Sequence, residues 1–330
     1  MINWGILSTA NIAQKAVIPA LQHAANANVY GIGSSNEKVQ EVAQKFDIPN
    51  VYGSYEELLD DPNIQAVYIP LPNTLHKEWV LKAASKGKHV LCEKPAALTS
   101  EDVQEMVGAC EQHGVLFMEA FMYQFQPQHA RVKEIIASGE IGDVKHFSST
   151  FTFKLNLEDS QNIRLNAELG GGSVWDVGCY CIHAARNILG QEPTAVYVDA
   201  TIHDQYQVDT SATGILTFNN GVTASIYSGF EQPMNDTYVV EGTKGRIAVP
   251  MAFRPDRRED GLGEIMVTTE KGEIRNETFS GNQYVLMVEH FSDAILNGGK
   301  PSYTGQQTYN NIKTIEACYE SMRTGQQVKL

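Results

Sequence analysis

Asp176, Tyr180 and His183 stand four and three residues apart in the segment 173–189, so on a helix all three project from one face. A stripe of carboxylate, phenol and imidazole marks a site rather than a packing surface. Elsewhere, Glu93-Lys94-Pro95 follows the apolar run His89–Cys92, which puts an ammonium at the C-terminal end of a strand, where open α/β sheets bind ligands. A phenol and an ammonium can together remove the proton of a secondary alcohol and favour the alkoxide from which hydride leaves. A neighbouring positive charge lowers a phenol from its ordinary value of about 10 towards working pH, and a buried lysine gives up its own proton readily. Tyr180 and Lys94 therefore both qualify as the base. Asp176 orients the substrate or holds the other two by hydrogen bonds. His183 is the weakest member, and a buried histidine bonded to a backbone carbonyl is its simpler reading.

Two kinds of element must position these groups. Over roughly the first 120 residues, short β-branched runs (Ile2–Leu7, Val29–Ile32, Ala66–Pro70, His89–Cys92, Val115–Glu119) alternate with amphipathic helical patterns (Glu37–Phe46, Thr74–Ser85, Ser100–His113). That alternation predicts βαβ units and a doubly wound parallel sheet of Rossmann type. After Tyr123 the pattern changes to one helix (Gln128–Ala137) and long strands at Asp143–Leu155, Ala195–His203, Thr210–Asn219, Val222–Gly229, Thr237–Glu241 and Gly245–Val249, punctuated by Asn219-Asn220-Gly221 and Thr243-Lys244-Gly245. An α+β domain with a large, mainly antiparallel open sheet follows. Helices are expected at Ser173–Leu189, Asn282–Leu296 and Thr304–Arg323. The expected division is a dinucleotide-binding domain at 1–122 and a substrate and oligomerisation domain at 123–330.

Where the first strand turns into a helix the chain reads Gly5-Ile6-Leu7-Ser8-Thr9-Ala10-Asn11-Ile12-Ala13. A dinucleotide fingerprint needs small residues here so that amides approach a pyrophosphate at the helix N-terminus. Ser8, Ala10 and Ala13 fill the three glycine slots, although Ser and Ala adopt positive φ less readily than Gly. Ser8, Thr9, Ala10, Asn11 and Ile12 are thus cofactor candidates. The second strand ends in Ser34-Ser35-Asn36, with Glu37 and Lys38 beyond, and no carboxylate stands at the tip that normally receives an adenosine 2′-hydroxyl. Ser34, Ser35, Asn36 and Lys38 could instead receive a 2′-phosphate, which favours NADP and leaves NAD open. Asn36 can also cap the next helix.

The succession of Trp4-Gly5-Ile6-Leu7, Ile69-Pro70-Leu71-Pro72-Asn73-Thr74-Leu75-His76, Glu93-Lys94-Pro95, Met118-Glu119-Ala120-Phe121 and Gly170-Gly171-Gly172-Ser173-Val174-Trp175-Asp176-Val177-Gly178-Cys179-Tyr180 resembles the glucose-fructose oxidoreductase / inositol dehydrogenase (Gfo/Idh/MocA) family along essentially the whole chain. Within it the sequence is similar to the branch of dimeric dihydrodiol dehydrogenases and NADP-dependent D-xylose dehydrogenases, which has Tyr where inositol dehydrogenases have His. The resemblance implies an NAD(P)-dependent oxidoreductase acting on a ring hydroxyl or hemiacetal of a sugar, polyol or cyclic diol. It implies that Lys94 lies between nicotinamide ribose and substrate, that Pro95 is cis, and that Asp176 and Tyr180 face the reacting hydroxyl. Pro70, Asn73, His76 and Glu93 would line the cofactor. The chain departs from that branch at Gln124 and Gln126, where Arg and His are usual. An inositol-type polyol dehydrogenase and a catalytically silent dinucleotide sensor are the alternatives.

Composition narrows the remaining classes. With 42% apolar and 19% charged residues the chain is neither disordered nor fibrous. A net charge of −14, without a basic stripe, argues against nucleic acid. No apolar run reaches the ~18 residues of a membrane helix, and no signal segment is seen, so the expected location is cytoplasmic. Five scattered cysteines suggest reduced thiols and no metal site. Strands within 210–241 that are too apolar for free exposure suggest a homodimer or homotetramer.

Overall fold

A computed structural model describes all residues, Met1–Leu330. The chain divides into two compact units: Met1–Met122 with Asn282–Ile312, and Tyr123–Gly281 with Lys313–Leu330. The expectation of one domain over 123–330 is therefore corrected for 282–312, which belongs to the first unit.

In that unit six parallel strands, β1 (Ile2–Leu7), β2 (Ala27–Gly33), β3 (Asn50–Tyr52), β4 (Ala66–Ile69), β5 (His89–Cys92) and β6 (Phe117–Glu119), lie in the order β3-β2-β1-β4-β5-β6. The order reverses beside β1, which makes the sheet doubly wound. Helices α1 (Ile18–His23), α2 (Val39–Lys45), α3 (Tyr55–Asp60), α4 (Asn73–Ser85) and α5 (Ser100–Gln112) connect the strands. Strands β1, β4 and β6 are buried almost throughout, as a sheet covered on both faces must be. Fully burying a side chain such as Ile6 or Leu7 contributes roughly 2 kcal/mol. Local signals start the helices: Ser54 Oγ accepts the Glu57 amide at 3.1 Å before α3, and Thr99 Oγ1 accepts the Asp102 amide at 3.1 Å before α5. Helix α8 (Gln283–Leu296) joins this unit through its own polar and aromatic contacts. Trp4 Nε1 donates to Ser292 Oγ at 3.1 Å, the Trp4 and Phe291 rings lie 5.7 Å apart, and Asn26 Nδ2 donates to Asp293 Oδ1 at 2.7 Å.

The second unit is built on nine strands. These are β7 (Val144–Thr152), β8 (Ala195–Ile202), β9 (Asp209–Thr217), β10 (Thr223–Gly229), β11 (Asn235–Gly242), β12 (Gly245–Val249), β13 (Gly263–Thr269), β14 (Ile274–Phe279) and β15 (Val328–Lys329). Their order is β14-β13-β12-β11-β7-β10-β9-β8-β15, antiparallel except for β7 with β10. Alternation separates the faces. Phe147, Phe151, Ala224, Ile226, Tyr238 and Val240 are buried on one side, where α6 (Pro127–Ser138) and α7 (Cys179–Leu189) pack. On the other side the registered row Tyr197, Ile215, Ser225, Ser148, Val239 crosses five strands, with Tyr197 and Ile215 exposed. The last helix, α9 (Gly305–Thr324), contains the boundary between the units. No helix is long and apolar enough to cross a membrane.

One buried carboxylate is badly placed. Asp236 of β11 is 1% exposed, and neither of its side-chain oxygens has a well-formed hydrogen bond. Burial pushes it up to about 7, against the pull of the Arg254 and Arg257 charges. The folded state thus binds one proton more than the unfolded chain between the ordinary aspartate range and about pH 7, so stability is lost as pH rises through that window. Asp236→Asn should remove this loss and leave the protein about 2 kcal/mol or more steadier than the parent at about pH 8. Urea denaturation of both proteins at about pH 5 and about pH 8 checks it.

Candidate active site

The first unit gathers the expected cofactor residues around the end of β1. Ser8 holds a φ of 113°, a value that glycine adopts at low cost and serine does not, which stores on the order of 1 kcal/mol of strain. Its amide donates to Gly33 O at 2.9 Å and its hydroxyl accepts the Ala10 amide at 3.0 Å. Thr9 and Ala10 are partly exposed and Asn11 is exposed, while Gln14 Nε2 returns to Thr9 O at 2.8 Å. Ile12 leads into a wide helical turn, Ala13–Val17, before α1. After β2, buried Ser34 accepts the Asn36 amide and Asn36 Oδ1 accepts the Lys38 amide at 2.9 Å, so Asn36 does shape the approach to α2. Ser35, Asn36 and Lys38 are exposed. Tyr55 lies beside both Ser8 and Ser34, whose hydroxyls partly counter the upward shift that burial imposes on its phenol. Small residues, backbone amides at a turn and hydroxyls without a carboxylate at the β2 tip fit a phosphorylated dinucleotide.

The segment carrying Lys94 is fastened on every side within this unit. Glu93 N donates to Ile69 O at 3.1 Å, Ala96 N donates to Glu119 Oε1 at 2.8 Å, and Tyr303 donates its hydroxyl to Glu119 Oε2 at 3.2 Å. Tyr68 donates to Glu93 Oε1, and Glu93 Oε2 accepts the Lys94 amide at 3.2 Å. Burial pushes the Glu93 carboxyl up, while Tyr68 and the Lys94 charge pull it back. Lys94 itself is partly exposed, and the Lys94–Pro95 bond is cis as the resemblance implied.

Pro70 is buried at the end of β4, and Asn73, partly exposed, begins α4. His76 differs from the expectation. It is fully buried, with Nδ1 3.0 Å from Pro95 O and 3.2 Å from Ala96 O, and Nε2 2.8 Å from Leu71 O. Burial holds its pKa below the usual range despite these carbonyls. A neutral ring carries one N–H, so it donates either to Leu71 O or to the Pro95 and Ala96 carbonyls, and its place between the β4–α4 turn and the Lys94 loop makes its work positional.

In the second unit the expected helix begins with a π-helical stretch, Val174–Gly178, that runs into α7. Asp209 clamps this start: its Oδ2 accepts Ser173 Oγ at 2.7 Å and Val174 N at 2.8 Å, and its Oδ1 accepts the Tyr319 hydroxyl at 2.7 Å. Asp176 receives Arg164 Nε at 2.6 Å. Tyr180, 6% exposed, packs among the rings of Phe151 (5.4 Å), Phe253 (5.4 Å) and Tyr123 (5.9 Å). His183 is buried against Tyr123, whose hydroxyl meets its Nδ1 in place of the backbone carbonyl expected. Burial drives His183 well below its ordinary range, which leaves it neutral. Asp176 and Tyr180 share an environment through Arg164, whose pKa is raised first by the Asp176 charge and also by Tyr180. Sequence reasoning missed Tyr68, Glu119, Arg164 and Asp209 as organisers. The one signal for Glu119 was an acid closing an apolar strand.

Comparison with known proteins follows the same division. Residues 2–121 match the model of the oxidoreductase family with an NAD-binding Rossmann fold, and residues 129–248 match the GFO/IDH/MocA C-terminal domain. The chain belongs to the GFO/IDH/MocA oxidoreductase family. Among its relatives, D-xylose 1-dehydrogenase (NADP(+)) 2 of Haloferax volcanii is 41% identical over 329 residues, 99% of each chain. Trans-1,2-dihydrobenzene-1,2-diol dehydrogenase of Xenopus laevis is 31% identical over 311 residues, 91% of each. An aldose-aldose oxidoreductase from Caulobacter crescentus, solved with glycerol, superposes with a TM-score of 0.92 at 27% identity, over 100% of this chain and 99% of that one. The Rossmann model falls on the six-stranded parallel sheet and the C-terminal model on the nine-stranded one, in agreement with the fold read from the sequence.

Ser8→Gly should relieve the strained turn and raise stability by about 1 kcal/mol, while cofactor affinity is kept or improved. Thermal unfolding with and without NADP reads both effects.

Proposed function

We propose that this protein is an NADP-dependent dehydrogenase that oxidises a ring hydroxyl or hemiacetal of an aldose such as D-xylose, with cyclic diols as a second substrate class. The observation that carries this reading is the full-length 41% identity to an NADP-dependent D-xylose 1-dehydrogenase. It is supported by the β2 tip, where hydroxyls, an amide and Lys38 stand in place of a carboxylate. Bound NADP supplies the hydride acceptor.

The chain's own residues handle the proton and the orientation. Lys94 contributes a positive charge on a loop that four side chains hold still, which favours the alkoxide as the C–H bond breaks. Tyr180 takes the hydroxyl proton, and Asp176 orients the reacting group. Ser8, Thr9, Ala10, Asn11 and Ile12 offer the pyrophosphate contacts, and Pro70, Asn73 and Glu93 lie where strand ends receive the nicotinamide half.

Turnover is measured by the rise in reduced-nicotinamide absorbance with NADP or NAD and a panel of aldoses, inositols and cyclic diols. Oxidation of D-xylose with preference for NADP is the expected result. Cofactor binding with no turnover of any substrate would replace this reading by a sensor role. Lys94→Ala should lower kcat about a hundredfold or more and largely spare cofactor affinity. An unchanged rate removes the lysine from the chemistry.

The outer sheet face bears Tyr197 and Ile215, each more than 40% exposed and paired across adjacent strands. A second copy of the chain is the partner we assign to this face, giving a dimer or a tetramer. Light scattering that returns the mass of one chain would contradict this. Five buried cysteines joined by no disulfide suit work in a reducing compartment such as the cytoplasm.

A further inference from the structure

Arg164, the partner of Asp176, is delivered by a loop whose every turn is built to bring it there. Two 3-10 turns, Ile163–Leu165 and Ala167–Leu169, carry it between β7 and α7. Each begins with an asparagine whose Oδ1 accepts a backbone amide two residues on: Asn162 takes Arg164 N at 3.1 Å, and Asn166 takes Glu168 N at 3.0 Å. Leu165, 3% exposed, anchors the loop in the core.

The glycines that follow let this loop close. Gly171 N donates to Asn166 O at 2.8 Å and Gly172 N to Arg164 O at 3.0 Å. A Cβ at Gly171 would stand 2.6 Å from Arg164 O and 2.7 Å from Asn166 O, so no side chain fits between loop and helix. Gly171 is therefore a contact surface, and what it admits is the Arg164 loop, while a Cβ at Gly172 would meet Asp209 Oδ1 and the Tyr319 hydroxyl.

The guanidinium lies over the Phe153 ring at 5.7 Å and gives its Nε to Asp176 Oδ2 at 2.6 Å. An arginine is charged at every working pH, and a charge-assisted bond of this length fixes both partners. The Asp176 side chain is only 15% exposed, while Arg164 at 39% stays open to water, so the shielding falls on the carboxylate. Tyr180 stands one turn beyond Asp176 on the same continuous helix, so a cation held on Asp176 lies on the side of the helix that carries the phenol. The rings of Phe151, Phe253 and Tyr123, the last bonded to His183, pack against that phenol. Burial keeps Tyr123 protonated and His183 neutral, so neither of them adds charge beside it.

We propose that Arg164 is a positioning residue for the reaction: it locks the Asp176 carboxylate in orientation and sets a permanent positive charge within electrostatic reach of the Tyr180 hydroxyl. This rests on the assignment of Asp176 and Tyr180 to the chemistry. It adds the statement that the pair works as a triad with an arginine, and that Gly171 leaves the room in which the arginine loop sits. The consequence for the reaction is a phenol that gives up its proton at lower pH, since a nearby cation favours the phenolate.

The test compares the parent with Arg164→Gln, Arg164→Lys and Gly171→Ala, with circular dichroism to establish folding. In alcohol oxidation, Arg164→Gln should lower kcat about tenfold or more, leave the KM for NADP unchanged, and move the alkaline rise of kcat/KM upward by about one pH unit. Arg164→Lys keeps the charge and should fall between. Gly171→Ala leaves every site side chain intact, yet should reproduce the Arg164→Gln profile by holding the loop away. Rates and pH profiles that match the parent in Arg164→Gln would overturn the proposal. Should the parent turn over no sugar or diol, the functional assignment fails, and the phenol is read directly. The alkaline absorbance difference between parent and Tyr180→Phe reports the Tyr180 titration. Its upward shift in the Arg164→Gln background sustains the electrostatic role, and an unmoved titration ends it.

Discussion

The bond from the Ala96 amide to the Glu119 carboxylate governs the first unit. Glu119 ends β6 with no exposed surface, and a carboxylate so placed is tolerable only when its lone pairs are filled. The Ala96 amide and the Tyr303 hydroxyl fill them. What is thereby fixed is the backbone immediately after Lys94. His76 fills the space between the same loop and the β4–α4 turn, with its Nδ1 facing the Pro95 and Ala96 carbonyls and its Nε2 facing Leu71 O. A flexible lysine stem on a rigid loop can place its ammonium within a small volume, which catalysis by charge stabilisation demands.

The second unit solves the same problem with Asp209. Its carboxylate collects the Ser173 hydroxyl, the Val174 amide and the Tyr319 hydroxyl, and so pins the first turn of the helix that bears Asp176 and Tyr180. Burial raises the Asp209 carboxyl in spite of these bonds, a sign of how far the clamp sits from water. In both units a buried acid fixes the backbone that carries the proposed site residues: Glu119 the loop of Lys94, and Asp209 the helix of Asp176 and Tyr180.

Much of this was legible in the chain, and what was not has identifiable causes. Unbroken apolar runs, separated by helical patterns, revealed the parallel strands, because a sheet covered on both faces writes such runs. Strand β3 escaped because three residues give no period, and β14 because it is a polar edge strand with most of its side chains in solvent. The return of 282–312 to the first unit was hidden because Trp4 and Ser292 are far apart in sequence and close only in space. Lys94, Asp176 and Tyr180 stood out as candidates by residue type and placement. Arg164 did not: nothing in Asn162-Ile163-Arg164-Leu165 announces an ion pair until Gly171 is seen to admit the loop.

The unsatisfied carboxyl of Asp236 has a practical side. Oxidising an alcohol with a nicotinamide releases a proton, so alkaline buffer draws the reaction forward, and dehydrogenases are commonly assayed there. In this protein the same buffer ionises a group buried beneath the central strands of the sheet. Yield and shelf life thus pull towards opposite ends of the pH scale, and mildly acidic storage with brief alkaline assay is the regime the sheet itself dictates.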